Sequence, residues 1–292
     1  MKITECKTLY ELLDTWLLVY KAGTVSESTL QCYRYIVQDI KRYQKDLLIS
    51  EFSSLHFQNM LEKMVLGGLS KSTVTKAHMC MKSAFRIAEG AGIIRINPTN
   101  MVMVPRNAPE KSVSALTVEQ QARVIEACSQ TQYGEYALFL LCTGLRISEF
   151  IFLKWDEYDA EHRCLYISKS KTEAGVRCVP LMRPAQLILA VQPHKSKYIF
   201  LQKNGRPLTV TVMRSLYRRL RKLTGVQEIT NHVYRHTFAT RAIEQQIEYT
   251  ALSKILGHTN PYFTVKRYVQ PDPGYLRSEI MKLDEKKFAG SV

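Results

Sequence analysis

The stretch VPRNAPEKSVSAL at residues 104–116 constrains the fold of this chain more than any other feature. It contains two prolines and several small polar residues, and it lacks apolar periodicity, which is typical of a linker between folded units. A chain of 292 residues is long enough for two domains that each bury a core. The sequence therefore predicts a first domain at residues 1–105, a linker at 106–116 and a second domain at 117–292.

Apolar residues recur at helical spacing through the first hundred positions. One stripe follows the N-cap candidates Ser26 and Ser28, and a second follows Ser72. The second stripe consists of Val74, Ala77, Met81, Phe85 and Ala88. These patterns predict an all-helical first domain. Four basic residues lie off the second stripe and form either a solvated or a DNA-facing surface: Lys71, Lys76, Lys82 and Arg86.

The second half of the chain contains both helical and strand-like patterns. Thr117 is an N-cap candidate for a helix, and the apolar run YALFLLC predicts another that Gly144 ends. The runs CLYIS and VRCVPL flank SKSKTEAG, a pattern that predicts a β-hairpin, and YIFL at 198–201 is also strand-like. The predicted fold class is mainly α (α+β), with a helical first domain and a mostly helical second domain that carries a small antiparallel sheet.

Charge is the most informative bulk property. The formal net charge is +15, and residues 1–105 hold 13 basic and 9 acidic side chains, against 28 and 17 in the remainder. An excess of this size favours a polyanionic partner, of which nucleic acid is the commonest. The chain has no apolar run long enough to span a membrane, and its N-terminal stretch MKITECKTLYELLD lacks the apolar region typical of a signal peptide. Its seven cysteines contain no C-x-x-C pair. We therefore expect a cytoplasmic protein without a membrane partner.

The usual catalytic motifs of nucleic-acid enzymes are missing. The sequence has no G-x-x-x-x-G-K-[ST], no H-E-x-x-H and no clustered carboxylates for two metal ions. We therefore expect no cofactor and no metal. Without them, arginine is the natural residue for holding a phosphate, because its planar guanidinium binds two oxygens and keeps its charge.

Four short stretches offer candidate groups of this kind: TGLRISEF with Arg146 and Glu149, SKSKTEAGVRCVPL with Lys171, HVYRHTFAT with His232 and Arg235, and LGHTNPYFTVKRYVQ with His258 and Tyr268. Each has an ordinary structural explanation on its own. An arginine and a glutamate three residues apart usually form an ion pair, a hairpin lysine usually guards a strand edge, and a tyrosine is usually part of the core.

Together, in this order and spacing, the four stretches resemble the catalytic domain of the tyrosine recombinases, the phage and transposon integrase family. The matching motifs are TGLRISE, the KT hairpin with R-x-V-P-L, H-x-x-R-H-T-F-A-T, L-G-H and a terminal tyrosine. The first domain, including INPTNMVMVP, more loosely resembles the helical core-DNA-binding domain of the same family. The resemblance implies a site-specific DNA recombinase, or integrase, that acts on double-stranded DNA as a tetramer.

The resemblance also implies roles for single residues. Arg146 and Arg235 would meet at one phosphate, where negative charge builds during attack. His232 would act as base or hydrogen-bond donor, and His258 would bind a non-bridging oxygen. Tyr268 would be the nucleophile and form a 3′-phosphotyrosine, although an unperturbed tyrosine has a pKa of about 10 and needs cationic surroundings to react near neutrality.

Some assignments keep an alternative. Lys171 would protonate the leaving 5′ oxygen, with Lys169 as the runner-up, and Glu149 would orient the site rather than contact DNA. Tyr262 is the alternative nucleophile, because the spacing from His258 to Tyr268 is one residue longer than the commonest in the family. His236 is interpreted as structural.

The remaining expectations concern DNA contacts and assembly. The segment LYRRLRKL at 216–223 predicts a core stripe of Leu216, Leu220 and Leu223, and its basic residues face either phosphates or solvent: Arg218, Arg219, Arg221 and Lys222. The C-terminal tail could dock on its own domain or on a neighbouring protomer. Alternative functions are a resolvase of chromosome or plasmid dimers, a type IB topoisomerase-like enzyme and a catalytically inactive DNA-binding regulator.

Overall fold

The computed structural model describes residues 3–110, 113–168, 175–258, 260, 277 and 281. The chain divides into two compact units, Met1–Ser112 and Val113–Val292. The boundary between them falls inside the proline-containing stretch at 106–116. Among the described residues, no helix is long and apolar enough to cross a membrane.

The described part of the first unit contains four α-helices: α1 (Leu9–Thr15), α2 (Glu27–Tyr43), α3 (Ser54–Leu66) and α4 (Lys71–Gly90). A π-helical segment, Trp16–Lys21, directly follows α1. The predicted stripe on α4 is confirmed, because all five of its side chains are fully buried. Ser26 caps α2 as expected, and its hydroxyl accepts the backbone N–H of Thr29. The cap of α4 is Ser70 and not Ser72, since Ser70 accepts the N–H of Thr73.

The second unit contains seven α-helices and a three-stranded sheet within the described ranges: α5 (Val118–Ser129), α6 (Gly134–Thr143), α7 (Ile147–Ile151), β1 (Tyr158–Asp159), β2 (Cys164–Ile167), β3 (Arg177–Pro180), α8 (Arg183–Ala190), α9 (Val210–Thr224), α10 (Asn231–Glu244) and α11 (Tyr249–Leu256). The strands lie in the order β1-β2-β3 and all pairs are antiparallel. The predicted antiparallel pairing of these two runs is confirmed, with Leu165 opposite Val179. Residues 169–174 of the predicted turn lie outside the described residues. The YIFL segment makes only isolated bridges, Lys154 with Tyr198 and Leu201 with Pro207.

Helix α6 lies at the centre of the second unit and packs against α5, α8 and α10. Its side chains Phe139 and Leu140 are buried, as the apolar run YALFLLC predicts. On α9, Leu216 and Leu220 are buried, but Leu223 is 63% exposed, so its placement in the core was wrong. The stripe continues four residues after Leu220, at the buried Thr224, because helical neighbours on one face recur every three or four positions.

Candidate active site

Gly144 ends α6 and begins the site. Its backbone is left-handed, with φ at 62°, and a Cβ built there would lie 2.6 Å from Cδ1 of Phe238 and 3.2 Å from Cδ2 of Leu256. Glycine is therefore required both by the backbone conformation and by the close approach of α10 and α11. The turn at Gly144 lies two residues before Arg146.

Arg146 is the N-cap residue of α7, and Glu149 occupies the third position of that helix. The Glu149 carboxylate folds back and accepts two hydrogen bonds from Arg146, one from its backbone N–H at 2.8 Å and one from Nη1 at 2.8 Å. The second guanidinium nitrogen, Nη2, donates to the carbonyl of Gly257 at 2.7 Å. The predicted Arg–Glu pair thus forms through a helix cap rather than along one helical face.

Arg177, at the start of β3, completes the surroundings of Glu149. Its Nη1 and Nη2 donate to the two carboxylate oxygens at 3.0 Å each, and its Nε donates to the carbonyl of Ile255 at 2.6 Å. Burial alone would raise the pKa of Glu149, but the hydrogen bonds and charge of Arg177, with those of Arg146, hold that pKa below its ordinary value. Glu149 is therefore a carboxylate fixed between two guanidinium groups.

Arg235 reaches the same place from α10. Only 7% of its surface is exposed, and its Nη1 and Nη2 donate to the carbonyls of Gly144 at 2.8 Å and Leu256 at 2.5 Å. These contacts join the end of α6 to the end of α11. His258 follows two residues after α11 ends, and its backbone N–H donates to Ser253.

Three consecutive carbonyls at the end of α11 each accept a hydrogen bond from a different arginine. Ile255 accepts from Arg177, Leu256 from Arg235 and Gly257 from Arg146. The last carbonyls of a helix have no partner within the helix and carry partial negative charge, so cations are favourable there. We call Arg146, Arg177 and Arg235, with residues 255–257, the arginine frame.

Other members of the predicted site are less constrained. His232 lies in the first turn of α10 and is exposed. His236 lies 3.3 Å from the hydroxyl of Thr240 through its Nδ1, and Tyr234 packs edge-on against Tyr217 in the core. Burial raises the pKa of Tyr234 well above its ordinary value, and its hydroxyl is inside the core rather than at the site.

Four residues of the predicted site lie outside the described part of the chain: Lys171, Lys169, Tyr268 and Tyr262.

The predicted DNA-contact residues divide by their environment. On α4, Lys76, Lys82 and Arg86 are exposed, whereas Lys71 forms an ion pair with Glu110. On α9, the exposed members are Arg218, Arg219 and Lys222. Arg221 differs, since its Nε and Nη2 both donate to the carbonyl of Ile229, at 3.1 and 2.6 Å. Two of its nitrogens thus donate within the protein, and its contact with DNA stays a prediction.

Sequence reasoning included Arg177 in the motif R-x-V-P-L but gave it no part in the site. The arginine is one residue in a strand, and nothing in the local pattern places it against Glu149, which lies 28 positions earlier. A charged residue at the start of an otherwise apolar strand was the available signal. Its partners, Glu149 and Ile255, lie on α7 and α11, which only the tertiary structure brings to β3.

Two family models match the chain. The model of the phage integrase family covers residues 114–274, and that of the phage integrase N-terminal SAM-like domain covers residues 8–65. Among relatives, the tyrosine recombinase XerA of Thermococcus kodakarensis is 29% identical, with 89% of this chain and 92% of the relative covered. The transposase of transposon Tn916 from Enterococcus faecalis is 26% identical, over 77% of this chain and 65% of the relative.

Solved structures give the same result at the level of the fold. The Tn1549 transposon integrase in complex with a circular intermediate DNA matches 95% of this chain and 100% of its own, with a TM-score of 0.79 and 22% identity. A lambda integrase dimer bound to a core site matches 91% of this chain and 79% of its own, with a TM-score of 0.77 and 20% identity. The chain belongs to the phage integrase family, and it is a site-specific DNA recombinase of the tyrosine class.

Proposed function

We propose that this recombinase serves a mobile DNA element and cuts and rejoins DNA as an integrase through a 3′-phosphotyrosine intermediate. The observation that carries the proposal is the arrangement of the predicted arginines. Arg146 and Arg235 are 89 positions apart in sequence, yet they bind adjacent carbonyls, those of Gly257 and Leu256, immediately before His258. Two cations and an imidazole-bearing residue are thereby available at one end of one helix.

The chemistry would proceed by two transesterifications. The phenolic oxygen of Tyr268 attacks the scissile phosphorus and forms a phosphotyrosine, the bond to the 5′ oxygen breaks, and Lys171 gives that oxygen a proton. Arg146 and Arg235 offset the charge on the non-bridging oxygens, His258 donates to one of them, and His232 accepts the tyrosine proton. A 5′ hydroxyl from another strand then attacks the phosphotyrosine, re-forms a phosphodiester and releases Tyr268. Each step exchanges one ester for another, so no ATP is needed.

The assembly follows from the same proposal. The first unit would bind the DNA flanking the cleavage site, and its exposed α4 cations would contact phosphates together with those of α9. One solved relative is a lambda integrase tetramer bound to a Holliday junction, with 88% of this chain covered and a TM-score of 0.74. We propose that this chain also acts as a homotetramer on two paired sites in the cytoplasm. The C-terminal tail, most of which lies outside the described residues, would dock on its own domain or on a neighbouring protomer.

A second candidate function is resolution of chromosome or plasmid dimers. It is favoured by relatives that are named tyrosine recombinases without mention of a transposon, among them the XerC-like protein of Caldanaerobacter subterraneus, 23% identical with 95% of this chain covered. The two candidates use the same chemistry and differ in their DNA sites. Recombination of an excised circle with a second site supports the integrase, and conversion of a plasmid dimer to monomers supports the resolvase.

The test of the chemistry is covalent trapping. DNA from the ends of the mobile element that the recombinase would serve is nicked just beyond the cleavage site. The 5′ product then diffuses away, and the adduct accumulates. The expected result is a DNA-linked peptide that contains Tyr268. An adduct on Tyr262 would correct the nucleophile. A protein that binds this DNA but forms no adduct would contradict the proposal.

A further inference from the structure

Arg177 has no role in the reaction proposed above, yet its side chain contacts both α7 and α11. Only 5% of that side chain is exposed. It forms a bidentate contact with Glu149 from β3 and donates through Nε to the carbonyl of Ile255 on α11. A single buried guanidinium therefore joins the loop that carries Arg146 to the helix that leads to His258.

The Glu149 contact fixes Arg146 in two ways. Oε1 accepts from Nη1 of Arg177 and Nη1 of Arg146, and Oε2 accepts from Nη2 of Arg177 and the backbone N–H of Arg146. Each oxygen is thus shared between the two arginines. The orientation of the carboxylate, and with it that of the Arg146 side chain, depends on the planar fork of Arg177.

The position of Arg177 in the sheet adds a third connection. It is the first residue of β3 and pairs with Ile167, the last residue of β2. Its Nη1 also donates to the carbonyl of Gly175 at 2.9 Å. The segment between these strands contains Lys171, so Arg177 stands at the base of the hairpin whose lysine we propose as the acid.

We propose that Arg177 is a positioning residue for strand transfer, holding Arg146, His258 and the base of the lysine hairpin in one fixed arrangement. The inference depends on the proposed function. A role in stability alone does not account for the residue, because well-packed apolar groups often replace a buried ion pair at no cost in stability. Precise placement of groups around a phosphate does require such a contact, because small displacements of reacting groups slow the chemistry strongly.

The test compares Arg177→Met and Arg177→Lys with the wild type in single-turnover trapping at saturating nicked DNA, alongside the dissociation constant for DNA. Arg123→Met is the matched control, because Arg123 donates to the carbonyl of Thr224 near the end of another helix, α9, outside the site. We expect Arg177→Met to slow adduct formation by about 100-fold while DNA affinity and the Arg123→Met rate stay near those of the wild type. Arg177→Lys should recover only part of the rate, because lysine lacks the fork.

The pH dependence of the rate separates positioning from a loss of folding. The charged groups around Glu149 are Arg146 from its own helix and Arg177 from β3, while α10 and α11 bring Arg235 and His258 to neighbouring carbonyls. Without Arg177, burial raises the pKa of Glu149, so the rate of Arg177→Met should climb as pH increases and the carboxylate reforms. The double variant Glu149→Gln/Arg177→Met should lack this rise, because it has no carboxylate at position 149 to reform.

The outcomes are distinct. Absence of an adduct with the wild type would refute the proposed function itself. An adduct with the wild type, together with Arg177→Met rates within about threefold of it and an unchanged pH profile, would overturn the role of Arg177 alone, since misplacement should cost about 100-fold. If Arg177→Met does not fold, the same comparison is made with Arg177→Lys, and wild-type rates in that variant would equally overturn the inference.

Discussion

The arginine frame and the basic faces of α4 and α9 use the same type of side chain in opposite ways. In the frame, Arg146, Arg177 and Arg235 each donate to a defined carbonyl and are largely or partly buried. On α4 and α9, residues such as Lys82 and Arg218 are exposed to solvent. The frame thus fixes the geometry of its cations, whereas the helix faces supply charge without fixing where it lies.

The difference predicts two kinds of DNA contact. Guanidinium groups held by the protein need little reorganisation when a phosphate arrives, which is what stabilises a transition state. Exposed cations mainly release counterions from DNA, which contributes affinity that depends on salt. Substitutions in the frame should therefore change reaction rates, and substitutions on the faces should change the salt dependence of binding.

The largest expected effect belongs to the proposed nucleophile. Tyr268→Phe removes the attacking oxygen and should reduce the covalent adduct to the detection limit, while DNA affinity stays within about twofold because the basic faces are intact. The measurement is adduct formation on nicked DNA beside a binding titration. Strand cleavage that survives in this variant would exclude Tyr268 as the nucleophile.

Conservative changes in the frame come next. Arg146→Lys and Arg235→Lys keep the charge but lose the planar fork, and each should slow single-turnover cleavage by about 100- to 1,000-fold, the loss typical of one transition-state donor. The control is Lys82→Arg on α4, where the side chain is exposed and the change keeps its charge, so the rate should hold. Near-normal cleavage by both frame variants would contradict the distinction between the two regions.

Glu149 links the frame to stability. Glu149→Gln leaves Arg177 buried without its counter-charge and should lower the free energy of unfolding by about 3–5 kcal/mol near pH 7. Because the folded pKa of Glu149 is lowered, its ionised form stabilises the protein above the unfolded value and the benefit disappears as pH falls below about 4. Urea titrations from pH 3 to 8 test this. A difference from the wild type that does not shrink in acid would show that the charge is not responsible.

The smallest expected effect distinguishes two arginines on α9. Arg218→Gln should reduce the slope of log affinity against log salt by about 0.9 if Arg218 contacts a phosphate. Arg221→Gln should leave that slope unchanged and lower thermal stability instead, because its guanidinium binds the carbonyl of Ile229. A salt slope for Arg218→Gln equal to that of the wild type would place Arg218 away from the DNA.

The fold was predictable wherever one local rule dominates. Periodicity identified the buried face of α4, and the left-handed glycine at position 144 ended α6 as expected. Two details were predicted wrongly, the N-cap of α4 and the end of the buried stripe on α9, because neighbouring residues offered similar local signals. Ser70 and Ser72 are both good caps, and the end of the α9 stripe could fall at Leu223 or at Thr224, so only tertiary packing decided between them.

The structure brings together several of the residues that the resemblance named, but their contacts could not be predicted. Family resemblance identified Arg146, Glu149, Arg235 and His258 as members of one site. It could not show that Arg146 is a helix cap or that the end of α11 collects three guanidinium groups, because these contacts join residues up to 111 positions apart. Arg177 was missed for the same reason, since its partners Glu149 and Ile255 belong to other elements.

The most direct test of the central claim, that Arg146 and Arg235 offset charge at the scissile phosphate, is cleavage of DNA with a neutral methylphosphonate at that position. Single-turnover rates of the wild type, Arg146→Ala and Arg235→Ala are measured on this DNA and on ordinary DNA. If the arginines neutralise phosphate charge, the large defects on ordinary DNA should shrink strongly on the methylphosphonate, because the charge they offset is gone. Equal defects on both substrates would contradict the claim and assign the two arginines to structure alone.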